Sequence, residues 1–380
     1  MLLPLHLAAL GLSNIEVGAI ATATLVGSAA MTLFVGFIAY RVGRRALLVR
    51  ASLLMIATGV GFALLRDFWP PLVVGFLGTI NPSSGDASVF LPTEQALLPQ
   101  TTSDRQRTAL FARYSLIGTL AAAFGALAAG VPGFLATGLD MPLARAVDVM
   151  FLLYAALGLL ALVFYRELSP SVEPAEQKAA APLGKSKRTV WGLAALFSLD
   201  SFGSGFVVQS LLALWLFQRF GLSMAATGAI FFWSGFLSAF SVLASVQVAR
   251  RIGLINTAVF THLPANLFLI LTPFMPTVEW AAALLLLRSA FSSMDVPVRN
   301  SYVMAVVSPA ERPAAASATA VPRGLAAAVG PVISGWLLGV SVFGWPLVIA
   351  GTVKTVYDVL LLVMFRSVRP PEERHRERVR

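Results

Sequence analysis

The residues of this chain that could do chemistry are charged side chains inside long apolar segments. Asp200 and Arg288 are two of them, and each is followed directly by a serine, Ser201 and Ser289. A carboxylate that is removed from water can take up a proton, because burial disfavours its charged form. An arginine can hold an anionic group through its fixed fork of donors. We therefore predict that Asp200 is a protonatable coupling group and that Arg288 holds an anionic group or the Asp200 carboxylate itself.

Six further polar or charged side chains within apolar segments are candidates for the same polar pathway. These are Asn81, Asp86, Arg113, Asp295, Arg299 and Arg323. A charge near the bilayer centre costs at least about 2.5–3.5 kcal/mol, so each one needs a partner or a function. From their matching positions in the two halves of the chain, we expect Asp86 to approach Arg113 and Asp295 to approach Arg323. A static ion pair that only joins two helices is the alternative.

Two other pairs of opposite charges lie close enough in sequence to neutralise each other. Arg145 precedes Asp148 by three residues, and Lys354 precedes Asp358 by four. These spacings place side chains next to each other on one face of a helix. We interpret both pairs as structural.

Two segments of irregular sequence interrupt apolar spans and point to a polar pathway. Residues 81–86 contain a proline, two serines and a glycine, and residues 292–301 contain Pro297 between Asp295 and Arg299. A proline inside a helix removes a hydrogen bond and is expected to break it. Irregular backbone at membrane depth is tolerated only where it faces protein or a water-filled cavity.

The elements that must position these residues are membrane helices. Of the 380 residues, 57% are hydrophobic and only 12% are charged, whereas soluble domains carry about 25% charged residues. Basic residues fall in alternating short loops, as expected for cytoplasmic loops of a membrane protein, so the net charge of +10 does not indicate a nucleic-acid partner. The chain has no cysteine, and its three histidines lie far apart. Neither disulfides nor a metal site is expected.

Windows of about 20 apolar residues predict eleven helical spans and a short apolar stub at residues 1–10. The spans are 15–39, 46–65, 70–98, 105–131, 144–165, 190–217, 224–248, 254–274, 279–307, 315–340 and 345–366. A shift of 210 positions aligns the stub with 211–220, the end of a later span. We therefore expect the first helix to lack roughly 20 residues, and we favour a start codon assigned too late over a true stub.

The same shift divides the chain into two similar halves. It aligns Arg41-Val42-Gly43 with Arg251-Ile252-Gly253, a basic glycine turn in each copy. We predict an N-terminal bundle over 1–165, a linker over 166–189, a C-terminal bundle over 190–366 and a basic tail over 367–380. Repeated halves of this size favour a transporter. The positive loops predict a cytoplasmic C-terminus in the bacterial inner membrane.

Glycines in two repeat-related spans are expected to mediate close helix packing. They are Gly118, Gly125, Gly130, Gly324, Gly330 and Gly335. In a membrane, burial of apolar side chains does not drive helices to associate. Small residues favour their association because they let the helices approach closely.

The segment from Gly36 to Arg45 resembles the signature loop of the major facilitator superfamily. The matching positions are Gly36, Ala39, Arg41, Gly43, Arg44 and Arg45, while Tyr40 stands where the family usually has aspartate. The resemblance implies two six-helix bundles, a central cavity lined by the first, fourth, seventh and tenth helices, and alternating access by rocking. The resemblance places Asp200 and Arg288 on helices that line the cavity. At 1.5 Å per residue, each lies roughly 15 Å along its helix from the start of its span.

These observations predict a secondary active transporter of a small solute, coupled to an ion gradient and most simply to protons. No cofactor, enzymatic activity or nucleic-acid partner is expected, and we expect a monomer in the lipid bilayer. The alternative is a non-transporting receptor or assembly protein that keeps the fold, since the short first helix would remove one wall of the cavity. A membrane enzyme is a weaker third alternative. The charges of both signs suit a polar, zwitterionic or anionic solute, and the direction of transport stays open.

Overall fold

The regular elements of the described part of the chain are all helices. The structure, a computed structural model, describes residues 2–80, 90, 94, 104–169, 184, 186–307 and 311–366. The helices are α1 (Leu2–Ala9), α2 (Asn14–Val42), α3 (Arg44–Leu64), α4 (Trp69–Leu77), α5 (Asp104–Ala128), α6 (Val131–Gly138), α7 (Leu143–Arg166), α8 (Lys187–Phe206), α9 (Gln209–Phe220), α10 (Met224–Ile252), α11 (Leu254–Leu271), α12 (Val278–Ser292), α13 (Asp295–Val306), α14 (Arg312–Val340) and α15 (Trp345–Phe365).

Ten segments of the described residues are long and apolar enough to cross a membrane. Each of them corresponds to one of the eleven spans predicted from the sequence. The remaining predicted span, 70–98, begins in α4 but falls largely outside the described residues. The prediction of an all-helical polytopic membrane protein is confirmed, whereas the count of eleven spans and a stub stays a prediction.

Glycine turns recur at the same positions in the two halves. Gly43, between α2 and α3, has a φ of +80°, and Gly253, between α10 and α11, has a φ of +86°. Gly11 and Gly221, which the same shift of 210 positions relates, have φ values of +90° and +66°. Residues with a Cβ rarely adopt this conformation. The repeat seen in the sequence is therefore also a repeat of backbone geometry.

The N-terminal stub is a short helix that packs against helices from both halves of the sequence. Helix α1 contacts α2, α7 and α9, and its Leu3 and Leu7 are buried. Helix α9 is the segment that the repeat aligns with α1. The predicted helical character of residues 1–10 is thus present in the structure.

The chain folds into two compact units, which do not follow the halves of the sequence strictly. Unit 1 contains residues 1–178, 208–229 and 331–342, and unit 2 contains residues 179–207, 230–330 and 343–380. The predicted boundaries of the bundles and of the linker at 166–189 stay predictions, since most of the linker lies outside the described residues.

Each unit has its own tightly packed helix contacts. In unit 1, α3 packs against α7, where a Cβ on Gly59 would come within 2.6 Å of the carbonyl oxygen of Phe151. In unit 2, α15 packs against α8 and α11 around buried Leu193, Phe197 and Tyr357. The core of unit 2 is therefore built from the helices that carry most of the candidate site.

Two of the predicted packing glycines lie at extremely close helix contacts. In unit 2, a Cβ on Gly330 of α14 would lie 2.3 Å from the carbonyl carbon of Gly205 in α8. In unit 1, a Cβ on Gly335 would lie 2.3 Å from the carbonyl oxygen of Asn14. Gly130 also packs closely, against Ala225. A larger residue at these positions must push the helices apart. A Cβ on Gly118 or Gly125, in contrast, would meet no described atom within 4 Å, so the prediction is wrong for these two.

We predict that Gly330→Ala lowers the melting temperature of the purified protein, because the added methyl group meets backbone atoms of α8. Gly339→Ala on the same helix is the matched control, since its Cβ would meet only the Asn14 Cβ at 3.8 Å. Replacing an unconstrained helical glycine by alanine stabilises by about 0.5–1 kcal/mol. Thermal unfolding followed by intrinsic tryptophan fluorescence measures both variants, and equal melting temperatures would contradict the packing role of Gly330.

Candidate functional site

Asp200 is the centre of a buried cluster of charges in unit 2. It lies on α8 and is only 4% exposed. Its Oδ1 accepts a hydrogen bond from Lys354 Nζ on α15 at 2.7 Å, and its Oδ2 accepts one from Arg299 Nη1 on α13 at 3.0 Å. One carboxylate thus joins three helices through two ion pairs.

Close packing of α8 on α15 brings Lys354 to Asp200. A Cβ on Gly203 would lie 3.0 Å from the Lys354 Cγ and 3.2 Å from the carbonyl oxygen of Ala350. Because Gly203 has no side chain, the lysine stem can pass over α8 and reach the carboxylate almost one turn away. Lys354 is itself buried, so its charge depends on Asp200.

Arg299 connects the cluster to a second carboxylate. Its Nη1 lies 3.2 Å from Asp295 Oδ2, four residues earlier on α13, and its guanidinium lies 5.1 Å from the centre of the Phe197 ring. The expected helix break at Pro297 is wrong in position. Helix α13 begins at Asp295, so Pro297 lies in the first turn, where no intrahelical hydrogen bond is lost. The chain breaks earlier, between α12 and α13.

Two further arginines of unit 2 have no ion pair with any carboxylate that the structure describes. Arg323 on α14 donates from Nε to Ser201 Oγ at 3.3 Å, and its guanidinium lies 5.9 Å from the centre of the Phe197 ring. Arg288 on α12 is partly buried, and Asp200 is the acidic group whose charge acts on it. Among the described residues, no carboxylate oxygen lies within 4 Å of either guanidinium.

A direct ion pair of Asp200 with Arg288 is not present in the described part of the chain, where Asp200 pairs with Lys354 and Arg299 instead. The predicted binding of an anionic group by Arg288 stays a prediction. Asp295 forms its ion pair with Arg299, so an ion pair with Arg323 is also not formed. The charges of Asp200 and Asp295 nevertheless act on Arg323.

Both local pairs predicted to be structural are replaced by longer-range pairs. Lys354 pairs with Asp200 and not with Asp358, which faces α11. In unit 1, Asp148 pairs with Arg66 at 2.5 Å rather than with Arg145. A spacing of three or four residues allows two charges on one helix to pair. In these cases each charge is packed against another helix and pairs with a residue there instead.

Several predicted site residues lie outside the described side chains. They are Asn81, Asp86, Arg113, Gly36 and Arg41. Within the signature loop, Gly43 forms the left-handed turn, Arg44 is buried and Arg45 donates to the carbonyl oxygen of Arg166 on α7. The predicted pair of Asp86 and Arg113 therefore stays a prediction.

A second polar group, which the sequence reasoning missed, lies next to the Asp200 cluster. His262 Nδ1 lies 3.0 Å from Asp358 Oδ1, and Asn266 Nδ2 donates to Asp358 Oδ2 at 2.8 Å. All three side chains are buried. The available signal was the spacing of His262 and Asn266, which places two polar residues on one face of the apolar helix α11.

The architecture and the site define a class of protein. The chain has long apolar helices and a repeated turn geometry. It also has buried charges that pair with charges on other helices. These features are typical of a membrane transporter. The chain belongs to the Major Facilitator Superfamily, whose family model matches residues 1–287. It is an integral membrane protein and a transporter by fold and family.

Known proteins similar to this chain cover nearly its whole length. The yeast (Saccharomyces cerevisiae) protein YJR124C, described as an uncharacterized membrane protein, is 26% identical over 96% of this chain and 90% of its own length. The structure of the nucleoside transporter NupG aligns with a TM-score of 0.70 at 15% identity, covering 96% of this chain and 94% of that one. The human organic anion transporter MFSD10 aligns with a TM-score of 0.60 at 18% identity, covering 90% and 83%. At these identities the two structures show the fold alone.

We predict that Asp200→Asn lowers the melting temperature strongly, because Lys354 is then a buried cation without a carboxylate. Removing one partner of a buried ion pair typically costs about 3–5 kcal/mol. The double variant Asp200→Asn with Lys354→Gln removes both charges and should recover much of the loss. Asp67→Asn, at an exposed loop position, is the control.

Tryptophan-fluorescence melting curves of the four proteins measure this coupling. A double variant that is no more stable than Asp200→Asn alone would show that the two charges do not stabilise each other.

Proposed function

We propose that this protein is a secondary active transporter of a small solute, coupled to a proton gradient and working by alternating access. The observation that carries the proposal is the linked pair of polar groups in unit 2, the Asp200 cluster and the His262–Asp358 pair. Charges inside membrane helices are costly and mark ion or substrate pathways. Membership of a transporter superfamily supports the same function.

In this proposal the proton is taken up by the His262–Asp358 pair and not by Asp200. Asp200 is held between Lys354 and Arg299, two cations that favour its ionised form. The imidazole of His262, in contrast, faces a carboxylate at 3.0 Å. A proton taken up there forms an ion pair with Asp358, and its loss leaves that carboxylate bonded to Asn266. The proposal therefore moves the protonation step from Asp200, as the sequence suggested, to this pair.

The groups that face the pair can transmit a change of charge. Asp358 lies one helical turn from Lys354 on α15, and Lys354 bonds to Asp200. The Tyr357 ring lies 6.2 Å from the His262 ring, and the charges of Asp200 and His262 act on each other. Protonation of His262 would weaken the attraction between Asp358 and neighbouring cations. It would therefore favour a change in the position of the Lys354 side chain. Such a shift would link proton binding to a movement of α15 against α8.

We further propose that the chain works as a monomer in the inner membrane of a bacterium with its C-terminus in the cytoplasm. The alternation of basic and non-basic loops along the sequence supports this orientation.

We predict that His262→Gln abolishes proton coupling while solute exchange continues, because exchange needs no net proton movement. The wild-type protein in proteoliposomes that contain a pH-sensitive dye should acidify the lumen when a solute found in a vesicle transport screen is added outside. His262→Gln and Asp358→Asn should lose the acidification and retain counterflow of the labelled solute. His6→Gln, the same substitution in unit 1, should behave as the wild type.

Transport in the wild type without any pH change would refute proton coupling. Acidification that persists in His262→Gln but is lost in Asp200→Asn would return the protonation step to Asp200.

A further inference from the structure

The Asp200 cluster carries more positive than negative charge. Among the residues that the structure describes, two carboxylates, Asp200 and Asp295, belong to this cluster, against four cations: Lys354, Arg299, Arg288 and Arg323. The neighbouring Asp358 does not restore the balance, because it is paired with His262 and Asn266. Even a fully deprotonated His262–Asp358 pair leaves one positive charge in excess, and a single shared proton leaves two.

The excess charge is located on two particular side chains. Lys354 and Arg299 are used by carboxylates, whereas Arg288 and Arg323 have no carboxylate within 4 Å in the described part of the chain. A guanidinium has five N–H donors, and the hydrogen bond that the structure gives for Arg323 uses only Nε. Within the described part of the chain, the donors at the end of the Arg323 fork have no hydrogen-bond partner, and the Arg288 guanidinium has none either.

We infer that the solute is an anion whose carboxylate or phosphate group binds to Arg288 and Arg323. This inference rests on the proposed transport function and names its class of substrate. Two cations that no described carboxylate neutralises are costly inside membrane helices, and an anionic solute would supply the opposite charge. Arginine binds planar carboxylate and phosphate groups through two parallel hydrogen bonds.

The surrounding side chains hold Arg323 in a position to do this. The Phe197 ring lies beneath the guanidinium groups of both Arg299 and Arg323, at 5.1 and 5.9 Å. The attraction of a guanidinium to the face of an aromatic ring favours these positions of both side chains. Ser201, the residue after Asp200, fixes Nε of the same arginine at 3.3 Å. The binding end of Arg323 is thus pre-oriented by residues of α8.

An anionic solute also explains why a proton site lies beside the cluster. A proton taken up by the His262–Asp358 pair adds one positive charge close to Asp200, whose charge acts on Arg288 and Arg323. Proton binding therefore favours binding of the anion, and by thermodynamic reciprocity the anion favours binding of the proton. The two would cross the membrane in the same direction.

The first test measures the binding of simple probe compounds in place of the natural solute. The probes are matched sets that share a carbon skeleton and differ in charge: succinate, succinamide and 1,4-diaminobutane; benzoate, benzamide and benzylamine; and inorganic phosphate. We expect at least one anion to raise the melting temperature of the wild-type protein in a saturable way, and its neutral and cationic counterparts to have no effect. Stabilisation by a neutral or cationic probe alone, or by no probe at all, overturns the inference.

The second test assigns the effect to the two arginines. Arg288→Gln and Arg323→Gln should each weaken the apparent affinity for the stabilising anion about tenfold or more, since each loses charged hydrogen bonds. Arg188→Gln, at an exposed position on the same unit, should leave the affinity unchanged. The lysine variants of Arg288 and Arg323 keep the charge without the fork and should show an intermediate affinity. An anion effect that survives the double glutamine variant overturns the assignment.

Misfolding cannot imitate this result. Removing a cation without a counter-charge should leave the melting temperature without ligand unchanged or higher, and that measurement is part of the same experiment.

A transport assay in proteoliposomes then separates this inference from the proposed function. An anion that binds through both arginines but does not enter the vesicles would contradict transport and support the anion site. Entry of only neutral or cationic solutes would support transport and contradict the anion site.

Discussion

The contact of Asp200 with Lys354 and Arg299 is the interaction on which the rest of unit 2 depends. Two ion pairs at 2.7 and 3.0 Å connect α8 to α15 and α13, and burying any of the three charges without its partner would be costly. The close approach at Gly203 is a condition of this contact, because a side chain there would push Lys354 away. The polar site and the helix packing therefore depend on each other.

The sequence predicted the fold well, because its signals are local. Apolar length identified ten of the spans, and the repeat identified the turns at Gly43 and Gly253, where a single residue with positive φ separates two helices. These features depend on hydrophobicity and on backbone conformation, which a residue and its near neighbours determine. The glycines at 330 and 335 were recognised for the same reason, as small residues in a membrane helix.

The sequence predicted most residues of the site but not which of them pair with each other. Asp200, Arg299, Asp295 and Arg323 all belong to the cluster, yet Lys354 was assigned to Asp358 from a spacing of four residues. That spacing is also compatible with each side chain reaching a different helix, and the choice depends on rotation about the helix axis, which a single sequence does not encode. His262 escapes prediction because its carboxylate partner is distant in sequence, on α15.

Lys354 and Asp358 are separated by one turn of α15, and this spacing connects the two polar groups of unit 2. The lysine faces α8 and the carboxylate faces α11, so a single helix carries one side chain of the charge cluster and one of the His262–Asp358 pair. In the proposed mechanism, a change of protonation at His262 would alter the field on both sides of that helix without any long chain of intermediate residues. Two binding events that act on one rigid helix are coupled by its displacement. A local pair between Lys354 and Asp358 would have joined the two charges on one helix, whereas in the structure each has its partner on another helix, as the proposed coupling requires.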